Sequence, residues 1–177
     1  MRLFPRLGGP ILCALMLLTQ PARAADPDPL AWRSAPDMAA LVGLLEGWLD
    51  AQPGALPRRT TPPEIRLIGA PRAASMHSAL FASHQGRLRG LYDPQAQTVY
   101  LVHPWSARDP FDVGVLLHEL VHHRQNGAGH WYCPGAQELP AYRLQQRWLQ
   151  GMGLEPDVNW IAVVLEAGCT PRDIHPD

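Results

Sequence analysis

No charge of one sign dominates this chain of 177 residues, in which fifteen basic side chains face sixteen acidic ones for a formal net charge of -1. It has no basic stripe and no acidic run, so nucleic acid and a charged membrane surface are not expected as partners. Beyond a short run near the start, no segment approaches the ~18 apolar residues that a spanning helix needs. No internal repeat is found, and the nineteen prolines and fifteen glycines are scattered rather than periodic, which argues for many loops and against a repeat array. What is present suits one globular domain: a length too short for two ordinary ones, and 46% apolar residues to build a core.

Residues 1–24 read as a secretory signal peptide. Arg2 and Arg6 give a positive start, Ile11 to Leu18 a short apolar run, and Ala22-Arg23-Ala24 a small-x-small cleavage pattern before the polar Ala25-Asp26-Pro27. Cys13 follows Leu12, where a lipid-attachment signal requires a small residue, so a lipoprotein is not expected. The mature chain, residues 25–177, is then exported to a periplasm or secreted. Export changes how cysteine reads. Of three cysteines only Cys133 and Cys169 remain, and an even pair in an oxidising compartment is expected to form a disulfide. Two free thiols, or one thiolate on a metal, are the alternatives, and the Cα separation decides among them.

Along the chain, residues 25–35 read as a loose lead-in. Met38, Leu41, Val42, Leu45, Trp48 and Leu49 follow helical spacing, and Pro53, Gly54 and Pro57 end that helix. Glu64 to Ile68 alternates as a strand with Ile65 and Leu67 inward, while residues 71–86 fit a short helix or a strand. Arg87 to Tyr92 and Gln97 to His103 read as a hairpin around Asp93-Pro94. Asp109-Pro110 then opens a helix that runs to about Gln125, where Gly127 and Gly129 stop it. A third helix is expected from about Gln137 to Gly151 with Pro140 in its first turn, and a last one from Pro156 to Ala167. Helix, strands, then helices argue an α+β domain with a small antiparallel or mixed sheet.

Chemistry concentrates in His118-Glu119-Leu120-Val121-His122. Histidines four apart on a helix lie about 40° from each other and one turn up, so both imidazoles reach one ion. Zinc suits neutral imidazole and tolerates an open fourth position. Glu119 lies about 60° further round, placed to take a proton from a water that the ion activates without being a ligand itself. Val113, Leu116, Leu117, Leu120 and Val121 fall on the opposite side, which lets one face pack while the other presents the histidines. The plainer alternative is a pair of surface histidines on an amphipathic helix.

The string His118 to Gln125 (HELVHHRQ) resembles the active-site helix of the gluzincin group of HExxH zinc metallopeptidases. Glu138-Leu139-Pro140-Ala141-Tyr142 resembles the Glu-x-x-Ala stretch that these families place on a later helix. The resemblance covers Phe111 to Tyr142, and Pro140 departs from the usual pattern. It implies a zincin-like domain in which Glu138 completes a Zn2+ site with His118 and His122, and Glu119 acts as general base on a peptide or protein substrate. His130 and His123 are the other candidates for third ligand. Tyr142, one turn beyond Glu138, could donate to a developing oxyanion or simply pack. Thr98 to Val102 is either a substrate-binding edge or an inner strand. Trp105, Trp131, Trp148 and Trp160 are expected in the core or its rim. Two rival functions stand beside the peptidase: a non-catalytic exported binding module of the same fold, and a zinc amidase acting on cell-wall material.

Overall fold

The computed structural model describes residues 28–80 and 88–169; residues 1–24, read from the sequence as a signal peptide, and Cys13 among them lie outside the described residues. The elements in chain order are α1 (Met38–Asp50), β1 (Glu64–Ile68), α2 (Ala70–Leu80), β2 (Gly90–Asp93), β3 (Thr98–Val102), α3 (Pro110–Gln125), α4 (Gly135–Gln150) and α5 (Trp160–Ala167). This is an α+β domain with a small mixed sheet. Its strand order is β1-β3-β2, with β1 parallel and β2 antiparallel to the central β3. Of the segment expected to be ambiguous, 71–86, residues 71–80 are helical in α2 and 81–86 lie outside the described residues. The lead-in is ordered rather than loose: a 3-10 turn, Ala31–Ser34, carries Trp32 into the core, where its ring lies 5.9 Å from Trp148.

α3 begins and ends where local chemistry dictates. The Asp109 side chain accepts from the backbone N–H of Phe111 and Asp112, and Pro110 fills the first helical position, where no intrahelical partner is needed. The helix is not simply amphipathic. Val113, Leu116, Leu117 and Leu120 are wholly buried, but so, nearly, are His118, Glu119 and His122. The reason is position: α3 lies across β2 and β3, touches α1, and is flanked along its length by α4. Its end is tied to α1 by Arg124, whose guanidinium contacts Glu46 and donates to Asp50 Oδ1 (2.7 Å) and the Leu56 carbonyl (2.8 Å). A buried cation is tolerable only when so fully partnered.

Three expectations need correction. Leu67 is 43% exposed rather than inward; β1 is an outer strand, and α3 packs chiefly over β2 and β3. β3 is the inner strand, as the second of its two readings expects, and among the described residues the open edge beside α3 belongs to β2. α4 starts two residues early, at Gly135, which puts Pro140 inside the helix instead of in its first turn. Ala136 and Gln137 donate to Cys133 and Pro134 carbonyls three residues back, a tighter opening turn that precedes the proline. α5 starts at Trp160, not Pro156, because Asn159 Oδ1 accepts from the Ala162 N–H and caps it there.

Cys133 and Cys169 form a disulfide with their Cα atoms 5.9 Å apart. It joins the loop before α4 to the end of α5. Gly135 makes the same junction possible sterically, since a Cβ there would come 2.5 Å from the Glu166 carbonyl oxygen. No helix among the described residues is long and apolar enough to cross a membrane.

Candidate metal centre

α3 and α4 run antiparallel, and facing residues fall into a ladder: Gln125 with Gln137, His122 with Glu138, His118 with Tyr142, Gly114 with Gln145. On the second and third rungs the residues singled out in the sequence come together. His118 Nε2 is 3.0 Å from His122 Nε2, and the Glu138 carboxylate reaches both, at 3.3 Å from His118 and 3.4 Å from His122. Among the described residues this is the only group of three potential ligands within mutual reach. The donor set fits a tetrahedral ion. Donors 2.0–2.1 Å from a zinc lie about 3.3 Å from each other; the two imidazole nitrogens are 3.0 Å apart, and the carboxylate turns Oε2 to His118 (3.3 Å) and Oε1 to His122 (3.4 Å).

Hydrogen bonds explain why these rings point as they do. Gln125 Nε2 donates to the Gln137 carbonyl (2.8 Å), which leaves its Oε1 to accept from His122 Nδ1 (2.7 Å). A neutral His122 therefore carries its proton on Nδ1 and turns the Nε2 lone pair toward Glu138 and His118. Sequence reasoning missed Gln125, although its position one turn beyond His122 was the available signal. His118 Nδ1 is buried without a partner among the described residues; its ring is held instead by the Tyr142 ring, 4.4 Å between centroids.

The other histidines are elsewhere. His123 Nε2 faces the Thr61 carbonyl (2.9 Å), which can only accept, so the imidazole donates there and Nδ1 accepts from Tyr92 Oη (3.0 Å). Burial lowers its pKa, in keeping with a neutral structural ring. His130 is exposed and lies against Tyr132. Neither belongs to the cluster.

Charge in the cluster is strongly coupled. Burial alone disfavours a charged His122, but the Glu138 carboxylate outweighs it and raises the imidazole pKa to about 9. Burial also works against a charged Glu138, and the two imidazoles overcome it and hold the carboxyl far below its usual range. Burial pushes the Tyr142 hydroxyl up to about 12, assisted by Glu138, Glu119 and Glu166, so it stays protonated at neutral pH.

A cleft of ≈ 720 Å³ opens onto this cluster, and His118, Glu119, Glu138 and Tyr142 all line it. β2 forms a wall through Gly90, Leu91 and Tyr92, and α5 contributes Ala162, Val163 and Glu166. The outer edge of β2 pairs with no strand among the described residues. Gly90 turns its missing side chain toward α3: a Cβ there would lie 2.6 Å from Glu119 Oε1 and 2.7 Å from Val115 Cγ1. A lone glycine in a strand signals such a close approach, and this one makes room for the carboxylate. Of the tryptophans, Trp148 is core, and Trp105 and Trp131 donate to backbone carbonyls of α3. Trp160 lies 6.4 Å from the Tyr142 ring.

No curated protein and no solved structure matches the chain. Residues 34–177 match the family described as a domain of unknown function, DUF6647, and with every cluster residue inside that span the chain belongs to this family.

Proposed function

We propose that this protein is an exported zinc-dependent hydrolase that cleaves peptide bonds, with His118, His122 and Glu138 as metal ligands and Glu119 as general base. The observation that carries this reading is the donor triangle of His118 Nε2, His122 Nε2 and the Glu138 carboxylate, buried yet lining an open cleft. The gluzincin resemblance of Phe111 to Tyr142 points the same way.

A zinc ion held by His118, His122 and Glu138 would supply Lewis acidity toward a carbonyl and lower the pKa of a water molecule. The chain's own residues do the rest. Glu119, next in sequence to one ligand and lining the cleft, accepts the water's proton on its carboxylate and returns it to the departing amine. Tyr142 keeps its hydroxyl proton and donates it as a hydrogen bond to the carbonyl oxygen as charge develops there. The outer edge of β2, which pairs with no strand among the described residues, supports an extended peptide as substrate, since such an edge can add a strand.

A non-catalytic module calls for a plugged pocket, whereas the cleft reaches the cluster. A cell-wall amidase calls for a cleft walled by carboxylates and aromatics, and Asp157, Glu166, Tyr92 and Phe111 do line this one; what favours a peptide over that substrate is the strand edge of β2 beside the cluster. The disulfide and the signal-like residues 1–24 support export to an oxidising compartment. The test is metal analysis with activity: one zinc per chain in wild type and in Glu119→Gln, none in His118→Ala, and peptide hydrolysis lost in both variants. Hydrolysis that persists in Glu119→Gln would remove the general-base assignment, and no zinc in wild type would remove the enzyme reading.

A further inference from the structure

α4 carries a second message besides Glu138. Glu138, Tyr142 and Gln145 occupy positions i, i+4 and i+7, so they share one face of the helix within an arc of about 60°. All three line the cleft. Glu138 and Tyr142 have work in the proposed reaction. Gln145 has none, although it is 8% exposed and its Oε1 is buried without a hydrogen-bond partner among the described residues. Burying a polar atom unpaired is costly, so its retention asks for a reason.

The surroundings of Gln145 define what it faces. It lies beside Gly114, one turn of α3 before His118, and Phe111 and Val115 on the same stretch of α3 also line the cleft. Seven residues of α4 place it about 10 Å along the axis from Glu138, about three residues of an extended peptide. The subsite is therefore apolar-walled with one amide set into it. Glu119, Glu138, Asp157 and Glu166 also line the cleft, and they oppose an anionic side chain. The apolar walls oppose a charged one of either sign. A purely apolar side chain would leave the amide unpaired.

We infer that Gln145 is the specificity-determining residue of this subsite, and that the subsite takes a carboxamide side chain, asparagine or glutamine, about three residues from the cleaved bond. This rests on the hydrolase reading above. A carboxamide offers one donor group and one acceptor, so it pairs with the Gln145 amide in either orientation.

The test uses the zinc-loaded full chain, with peptide hydroxamates that differ only in carrying asparagine, leucine or aspartate at the third residue from the metal-binding group. The three side chains are nearly equal in shape. Wild type is expected to bind the asparagine ligand at least tenfold more tightly than the other two. In Gln145→Leu the order of asparagine and leucine reverses, zinc content is unchanged, and Tm rises by about 2–4 °C because a buried unpaired group has been removed. Gln145→Met repeats the measurement if the leucine variant folds poorly. A wild type that prefers leucine or aspartate or fails to discriminate, an asparagine preference that survives both variants, or a fall in Tm in both overturns the inference while the hydrolase reading stands. A wild type that takes up no zinc overturns both.

Discussion

Gly90 and Glu119 share a space that only one of them can fill: a Cβ on Gly90 would sit 2.6 Å from Glu119 Oε1. A glycine is needed here for close approach, not for backbone freedom. Two side chains obstruct, the flexible end of Glu119 and the stiffer Val115 methyl at 2.7 Å, so Gly90→Ala is expected to displace the carboxylate and to loosen the packing of β2 on α3. Zinc content should be that of wild type, with kcat reduced by about 10²-fold, the scale for a displaced acid-base group. Steady-state kinetics with metal analysis checks this. Normal kcat in Gly90→Ala would mean that the carboxylate does not act from this position.

Gln125 tests how the second ligand is aimed. Its amide bridges His122 Nδ1 and the Gln137 carbonyl, and so links a ligand on α3 to the turn that carries Glu138. Gln125→Leu keeps the volume and removes both bonds. Zinc affinity should fall 10–100-fold, the usual cost of losing such an outer partner, measured by competition with a chelator. An unchanged affinity would show that packing alone orients His122.

How far the sequence could be read follows from which contacts are local. α3 was legible to the residue because Asp109, Pro110 and the cap bonds are neighbours in the chain. The two histidines and Glu119 were legible for the same reason, since helical spacing alone brings them together. Glu138 was reached only through resemblance. Its approach to His118 and His122 depends on Gly135 meeting Glu166, on the disulfide and on the Gln125 bridge, all long-range contacts that leave no period in the sequence. The same holds for Gly90 and Gln145, whose importance lies in what stands across from them. The start of α5 was misread because Pro156 is a plausible first helical residue, and the local cap of Asn159 prevailed.

The disulfide should matter to the metal as well as to the fold. Cys133 lies five residues before Glu138, and the bond closes a sequence separation of 36, for which chain entropy gives a stabilisation on the order of 4 kcal/mol. Paired Cys133→Ser and Cys169→Ser substitutions should lower the urea midpoint. They should also weaken zinc binding, because the turn that aims Glu138 loses its anchor on α5. Chelator competition below the unfolding transition separates the two effects. Weaker folding with undiminished zinc affinity would confine the disulfide to a structural role.

The cluster also sets how stability of the metal-free protein depends on pH. His122 is raised from an ordinary 6.5 to about 9, and Glu138 is lowered from 4.5. A raised histidine contributes stability that is complete below pH 6.5 and is lost as pH climbs through about 9. A depressed carboxylate contributes above pH 4.5 and loses its contribution as pH falls. The metal-free chain should therefore draw most from this pair between about pH 4.5 and 6.5. It should then weaken toward pH 9 by at most about 1.4 kcal/mol per unit for the one proton. Zinc changes the balance because it requires neutral imidazole, so loading at pH 7 must expel the His122 proton. Urea unfolding at pH 6 and pH 9, with and without zinc, tests the first statement, and calorimetry in buffers of different ionisation enthalpy tests the second. A metal-free profile flat from pH 6 to 9, with no proton released on loading, would mean that His122 is already neutral and that Glu138 does not hold it charged.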